Sequence, residues 1–201
     1  MMRLLLIFAF GLSISCSHKD ISPSPNIKLL SESDYFQTIK RNARQQQVYS
    51  GLYNAIDMTA AAVNTEVSEA QVDQMARVFI WDEAKYTQEK ATADGKLRKE
   101  AEFFVSFFTP ERKHDDLNKN KTLWKIFLDV DGKRYEGKTT KIKLLTEELQ
   151  SLYPFHNRFS TPYSIVFPIP MKNIEGANNI KLTITGPVGT STVDFGKAAS
   201  N

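Results

Sequence analysis

The chain reads as an α+β protein, with amphipathic helices from its first half packed on an antiparallel, sandwich-like β-sheet built from its second half. Three observations predict this. Apolar residues recur at spacings of three and four from Phe36 to Tyr86, and after Lys99 the spacing changes to two. Phe103, Val105 and Phe107 then face one way and Phe104, Ser106 and Phe108 the other, so this strand is apolar on both sides and needs cover above and below. Helices that precede strands, instead of alternating with them, give the segregated α+β class and not a parallel sheet.

The N-terminus stands apart. Met1, Met2 and Arg3 lead into an apolar run over 4–12, followed by Ser13, Ile14, Ser15 and Cys16, the one cysteine of the 201 residues. The run is too short to cross a bilayer as a helix, which takes roughly 20 apolar residues, and its single leading cation is that of an export signal. The stretch resembles a bacterial lipoprotein signal. That resemblance implies removal of residues 1–15 and a diacylglyceryl thioether on Cys16, commonly with an N-acyl chain such as palmitate. Ser17 stands where inner-membrane lipoproteins often carry Asp, which implies the outer membrane. Leu12 lies one place earlier than the leucine of that pattern, and Ser13 with Ser15 also meets the small-x-small rule of ordinary signal cleavage, which would release a soluble protein with a free thiol. A lipid on the sulfur would remove the liability of a lone exported thiol.

Residues 16–30 are expected to form the lipidated cysteine and a flexible tether, since Ser22, Pro23, Ser24, Pro25 and Asn26 have no apolar face. Residues 31–100 read as helical. A long amphipathic helix over 33–63 carries Phe36, Ile39, Ala43, Tyr49, Leu52, Tyr53, Ile56, Ala60 and Val63, with a polar gap at Gln45, Gln46 and Gln47 and a break near Gly51. A second helix opens at Ser68, with Gln71 at capping-box spacing, runs through Val72, Met75, Ala76, Phe79 and Tyr86, and stops at Asp94 and Gly95.

Residues 101–201 read as the antiparallel β region, and 31–201 as one compact unit. A central strand over 102–109 is followed by an alternating strand over 122–130, and Asp131 with Gly132 marks a two-residue hairpin into a partner over 133–143. The strand over 163–170 has Pro168 and Pro170 on one face, which suits an edge strand or a strand end. Ile180, Leu182 and Ile184 mark a further strand, Gly186 to Gly189 a turn, and Val193 with Phe195 the last strand.

Several motifs imitate chemistry. Gly132 to Thr139 fits the phosphate-loop pattern G-x-x-x-x-G-K-[ST], but it follows a hairpin signal and no helix opens after it. Asp116, Asn118 and Asn120 imitate the start of a calcium loop, yet Lys121 and Phe127 stand where glycine and a bidentate Glu are required. His114, Asp115, Asp116 and His156 are the candidate acid-base groups, without a metal-ligand or nucleophile spacing around them. Basic residues outnumber acidic ones over 112–143, while Asp57, Glu66, Glu69, Asp73, Asp82 and Glu83 form an acidic counterpart. A formal charge of +3 is too small to indicate a nucleic-acid binder. The expected role is that of a membrane-tethered envelope lipoprotein acting by interaction, with the bilayer as partner through Cys16 and an envelope protein or anionic surface polymer as a possible second partner; no cofactor is called for. The rivals are an envelope enzyme acting on cell-wall or lipid material, and an apolar-ligand carrier with a cavity lined by Phe103, Phe107 and Trp124.

Overall fold

A computed structural model describes residues 26–196; the leader, Cys16 and the tether up to residue 25 lie outside the described residues. The protein has three layers, helices on a sheet on a second sheet. In chain order the elements are α1 (Glu32–Arg41), β1 (Ala43–Ser50), β2 (Tyr53–Ala62), α2 (Thr65–Val78), α3 (Glu83–Leu97), β3 (Ala101–Phe108), β4 (Lys125–Val130), β5 (Lys133–Glu136), β6 (Lys138–Lys141), α4 (Thr146–Leu152), β7 (Thr161–Phe167), α5 (Met171–Glu175), β8 (Ile180–Gly186) and β9 (Gly189–Asp194). The first sheet runs β1-β2-β3-β7-β6 and the second β5-β4-β8-β9, with every pairing antiparallel.

β3 is the middle strand of the first sheet, and its two apolar faces serve two cores. Phe103, Val105 and Phe107 pack between the sheets with Ile56, Met58, Trp124, Leu128, Ile165 and Leu182. Phe104 faces the other way, into a helical core with Tyr35 and Ile39 of α1, Val67 and Ala70 of α2, and Leu149 and Tyr153 at α4. The pattern of residues 103–108 dictates this placement, because a strand apolar on both sides stays folded only where both sides are covered.

Asp131 and Gly132, at φ of 45° and 84°, turn β4 into β5 as expected of a two-residue hairpin. The partner strand then departs from expectation. It changes sheets at Gly137, so that 133–136 pairs with β4 and 138–141 with β7. A Cβ at Gly137 would stand 2.7 Å from Ile165 Cγ2 and 2.8 Å from the Phe167 ring, which leaves room only for glycine at the crossing. β7 is consequently not an edge strand but lies between β3 and β6; Pro168 follows its end and Pro170 caps α5.

The helical region requires correction. The expected helix over 33–63 is α1 followed by a β-hairpin, with Gly51 at φ 62° in its turn. Ile56, Met58, Ala60 and Ala62 alternate into the inter-sheet core, so a period of two prevails over the 3-4 spacing that the same stretch also offers. The second expected helix is two. α2 starts a turn early, because the Asn64 side chain accepts from Val67 N at 2.9 Å, and α3 is capped by Asp82 accepting from Lys85 N at 2.7 Å. Gly95 lies inside α3 and does not stop it. The last part of the expected tether is also held. Ile27 is buried, Leu30 N donates to Asp73 Oδ2 at 2.8 Å, and Arg77 donates to the Leu30 carbonyl, so residues 27–30 belong to the folded unit.

Candidate functional site

The side chains of Asp115, Asp116 and His156 are bound into the scaffold, and His114 is held there through its backbone carbonyl. The Asp115 carboxylate accepts from the Tyr163 hydroxyl at 2.9 Å and from the Thr161 hydroxyl. Burial pushes the Tyr163 phenol far up, and the adjacent Asp115 charge pushes it further, so this pair is a fixed hydrogen bond and not a proton-transfer couple at neutral pH. Asp116 accepts from Thr122 Oγ1 at 2.9 Å, and the His114 carbonyl accepts from the indole N–H of Trp124 at 2.6 Å. The loop between β3 and β4 thus closes over Trp124, and Asp116 of the calcium-like set serves that closure.

His156 is elsewhere. Its Nδ1 lies 2.9 Å from Ser106 Oγ, with the two residues only 3% and 4% exposed. This serine–histidine contact has the form of a nucleophile–base pair, but no substrate reaches it and no described hydrogen bond joins the ring to a carboxylate. Burial lowers the His156 pKa, which keeps the ring neutral in the folded protein. Ser106 belongs to the helix-facing side of β3, whereas Asp115 hangs on Thr161 and Tyr163, which are paired with Phe107 and Val105 of the inter-sheet side. The candidates therefore lie on opposite faces of the first sheet. Among the described residues no group of three His, Cys, Asp or Glu side chains is placed to hold a metal ion.

The aromatic loop after α4 seals the helical core: Tyr153 stacks on Phe104 at 3.6 Å and Phe155 meets the same ring edge-on at 5.7 Å. Phe103, Phe107 and Trp124 are closed into the inter-sheet core, so the cavity a carrier would need between helices and sheet is not lined by them. The cleft between α2 and α3 encloses ≈ 240 Å³, below the ~300–1,000 Å³ of small-molecule sites. On the outer face of the second sheet, Arg134 is bonded to Asp129 at 2.7 Å and Lys125 stands 3.6 Å from Glu136. Those strands present balanced charge in place of a basic face. The acidic set is likewise engaged, with Glu66 bonded to Arg41 and Asn42, and Asp73 to Leu30 and Tyr86.

At one corner the helical layer leaves apolar side chains to solvent. α2 ends at Val78, and Phe79, its C-cap, and Ile80 stand exposed before Trp81, which is half-buried. Ile80 holds φ 49°, a left-handed backbone in which a β-branched residue is an outlier, while Trp81 N closes the helix end on Ala76 O at 3.0 Å. Glycine or asparagine ordinarily fills this position, yet here a side chain 60% exposed occupies it. Across a groove of ≈ 360 Å³ from Val78 and Phe79 lie Leu144 and Leu152, with Met75 and Ser151 also lining it and Leu145, 69% exposed, next to Leu144. No family model, curated protein or solved structure matches the chain. The sequence signal of the corner is the run Val78, Phe79, Ile80 and Trp81, four consecutive apolar residues that no single helix face can bury. The helical stripe absorbs Phe79 on paper, and only the early end of α2 releases it.

Proposed function

We propose that this chain is a lipid-anchored protein of the bacterial cell envelope whose folded part works by contact and not by catalysis. The observation that carries the reading is Cys16, the lone cysteine, at the junction of an export-type leader and a folded unit that begins near Ile27. Acyl chains on its sulfur and new N-terminus would attach the protein stably, because burial contributes about 0.8 kcal/mol per methylene and two or more chains exceed the marginal hold of one. Ser17 favours the outer membrane. An enzyme acting on cell-wall or lipid material would need His114, Asp115, Asp116 or His156 to converge in an open cleft, and the engagement of the Asp115, Asp116 and His156 side chains in separate hydrogen bonds, on opposite faces of the first sheet, argues for the contact role instead.

The test is the mass of the mature N-terminus together with fractionation of Cys16→Ser. The expected outcome is an acylated Cys16 at the first position and release of the variant from membranes by alkaline washing. An unmodified thiol, or a variant that stays membrane-bound through that wash, removes the anchor and with it the proposed role.

A further inference from the structure

We infer that the corner formed by Val78, Phe79, Ile80, Trp81, Leu144 and Leu145 is a second membrane contact, which seats the folded unit on the acyl region of the bilayer that holds its anchor. The inference rests on the lipid-anchor reading and adds to it an orientation. The first support is where the chain leaves the fold. Leu30 is bonded to Asp73 and Arg77 on α2, and Asn26 Nδ2 reaches Glu83 Oε2, at the first residue of α3, at 3.4 Å. Residue 30 is therefore held on the second half of α2 and residue 26 reaches the start of α3, the two elements joined by the connection that carries Phe79, Ile80 and Trp81. Asn26 lies ten positions after Cys16, so whatever path those residues take, they span no more than about 36 Å. The exit point stays within about 36 Å of the anchored sulfur, so the corner next to it is within reach of the bilayer.

The second support is the corner's chemistry. Exposed apolar side chains contributed by the end of α2 and the segment before α4 meet across one groove, and Trp81, two residues after Phe79, lines the adjoining α2–α3 cleft with an amphipathic indole of the kind that settles at lipid–water boundaries. Lys85, ion-paired with Glu89, lies 5.9 Å from the Trp81 ring centre, which puts a charged pair beside the indole at the level where headgroups would lie. Glu147 and Glu148 at the groove and the exposed Lys143 beside Leu144 give the rim both signs of charge, so the contact is driven by apolar burial and not by headgroup charge. A patch of this size would bind a bilayer weakly from solution. Tethering makes the second contact intramolecular, at an effective concentration in the millimolar range for a short linker. The left-handed Ile80 is the third support, since folding alone would be served by glycine there and the isoleucine adds only exposed apolar surface.

The two tryptophans make this measurable, because Trp124 is buried between the sheets and Trp81 borders the corner. The full acylated chain, its N-terminal mass determined on the same preparation, is placed in phosphatidylcholine vesicles whose acyl chains carry bromine, a contact quencher of indole. The expected result is loss of the Trp81 emission, absent in Trp81→Phe and abolished by combining Phe79→Ser with Ile80→Gly, while flotation with vesicles is unchanged in all three. Ile80→Gly suits the existing backbone, and unchanged far-UV circular dichroism verifies that the fold is kept. An acylated chain that floats but shows unquenched Trp81 overturns the docking alone; a chain that carries no acyl group overturns the anchor and the docking with it. A shift from dimer to monomer in the double variant would assign the corner to a second copy and also overturn the proposal.

Discussion

The Ser106–His156 pair shows at the scale of single residues how a contact with catalytic form can be structural. The imidazole belongs to the loop after α4 and turns into the helical core, edge-on to Phe104 at 6.1 Å, and burial holds its pKa below the ordinary 6.5. The sign of the resulting pH effect follows from linkage. Above pH 6.5 the ring is neutral in both folded and unfolded chains and contributes no slope. As pH falls through 6.5 the unfolded chain takes up a proton that the folded chain refuses, so stability is lost until the lower folded-state pKa is passed. Urea unfolding at pH 7.5, 6 and 5 should therefore show a decline that is shallower in His156→Gln, where no such proton is bound. A parallel decline in both proteins would mean that the ring is solvated and the serine contact is not maintained.

Among the elements, the strand that changes sheets is the most constrained. β5 and β6 are one run of chain interrupted at Gly137, whose N–H still donates to Ile126 O at 3.0 Å in the second sheet while Lys138 already pairs with Val166 in the first. Gly137→Ala would press a methyl into Ile165 and Phe167 and should destabilise the fold by about 1–3 kcal/mol, read as a lower urea midpoint at unchanged slope. A neutral effect would mean that the two sheets can separate there. This crossing also marks where sequence reasoning stops. Period-two alternation around Phe103 to Phe108 and the Asp131–Gly132 turn are local signals, so β3, β4 and the hairpin from β4 into β5 were legible. The hairpin over 43–62 was not, because Ile56, Ala60 and Val63 satisfy helical spacing as well as Ile56, Met58, Ala60 and Ala62 satisfy a strand, and alanine's helix propensity tilts the choice. The apolar corner depends on α2 ending at Val78, and the anchoring of Leu30 on bonds to residues more than forty positions away, neither of which any local period encodes.

For the molecule as a whole, β3 decides whether three layers are one folding unit. The same eight residues supply Phe103, Val105 and Phe107 to the inter-sheet core and Phe104 to the helical core, so loss of either core exposes one face of a strand that the other still needs. The loop after α4 adds a cross-link, since Tyr153 both stacks on Phe104 and receives the Gln71 side-chain N–H at 2.6 Å, which joins α2, α4 and β3. Helices and sandwich should accordingly unfold together. Trp81→Phe leaves Trp124 as an emission probe confined to the space between the sheets, and its urea midpoint should coincide with that of far-UV circular dichroism, which includes the helices. Phe104→Ala removes a ring from the helical side only, at a cost of about 3–5 kcal/mol, a large part of the ~5–15 kcal/mol that holds a typical domain. If the layers are coupled through β3, that substitution lowers the Trp124 midpoint as much as the circular-dichroism midpoint, although Trp124 lies on the far side of the sheet. A Trp124 transition that stays in place while helical signal is lost earlier would divide the protein into a sandwich and a separable helical cover.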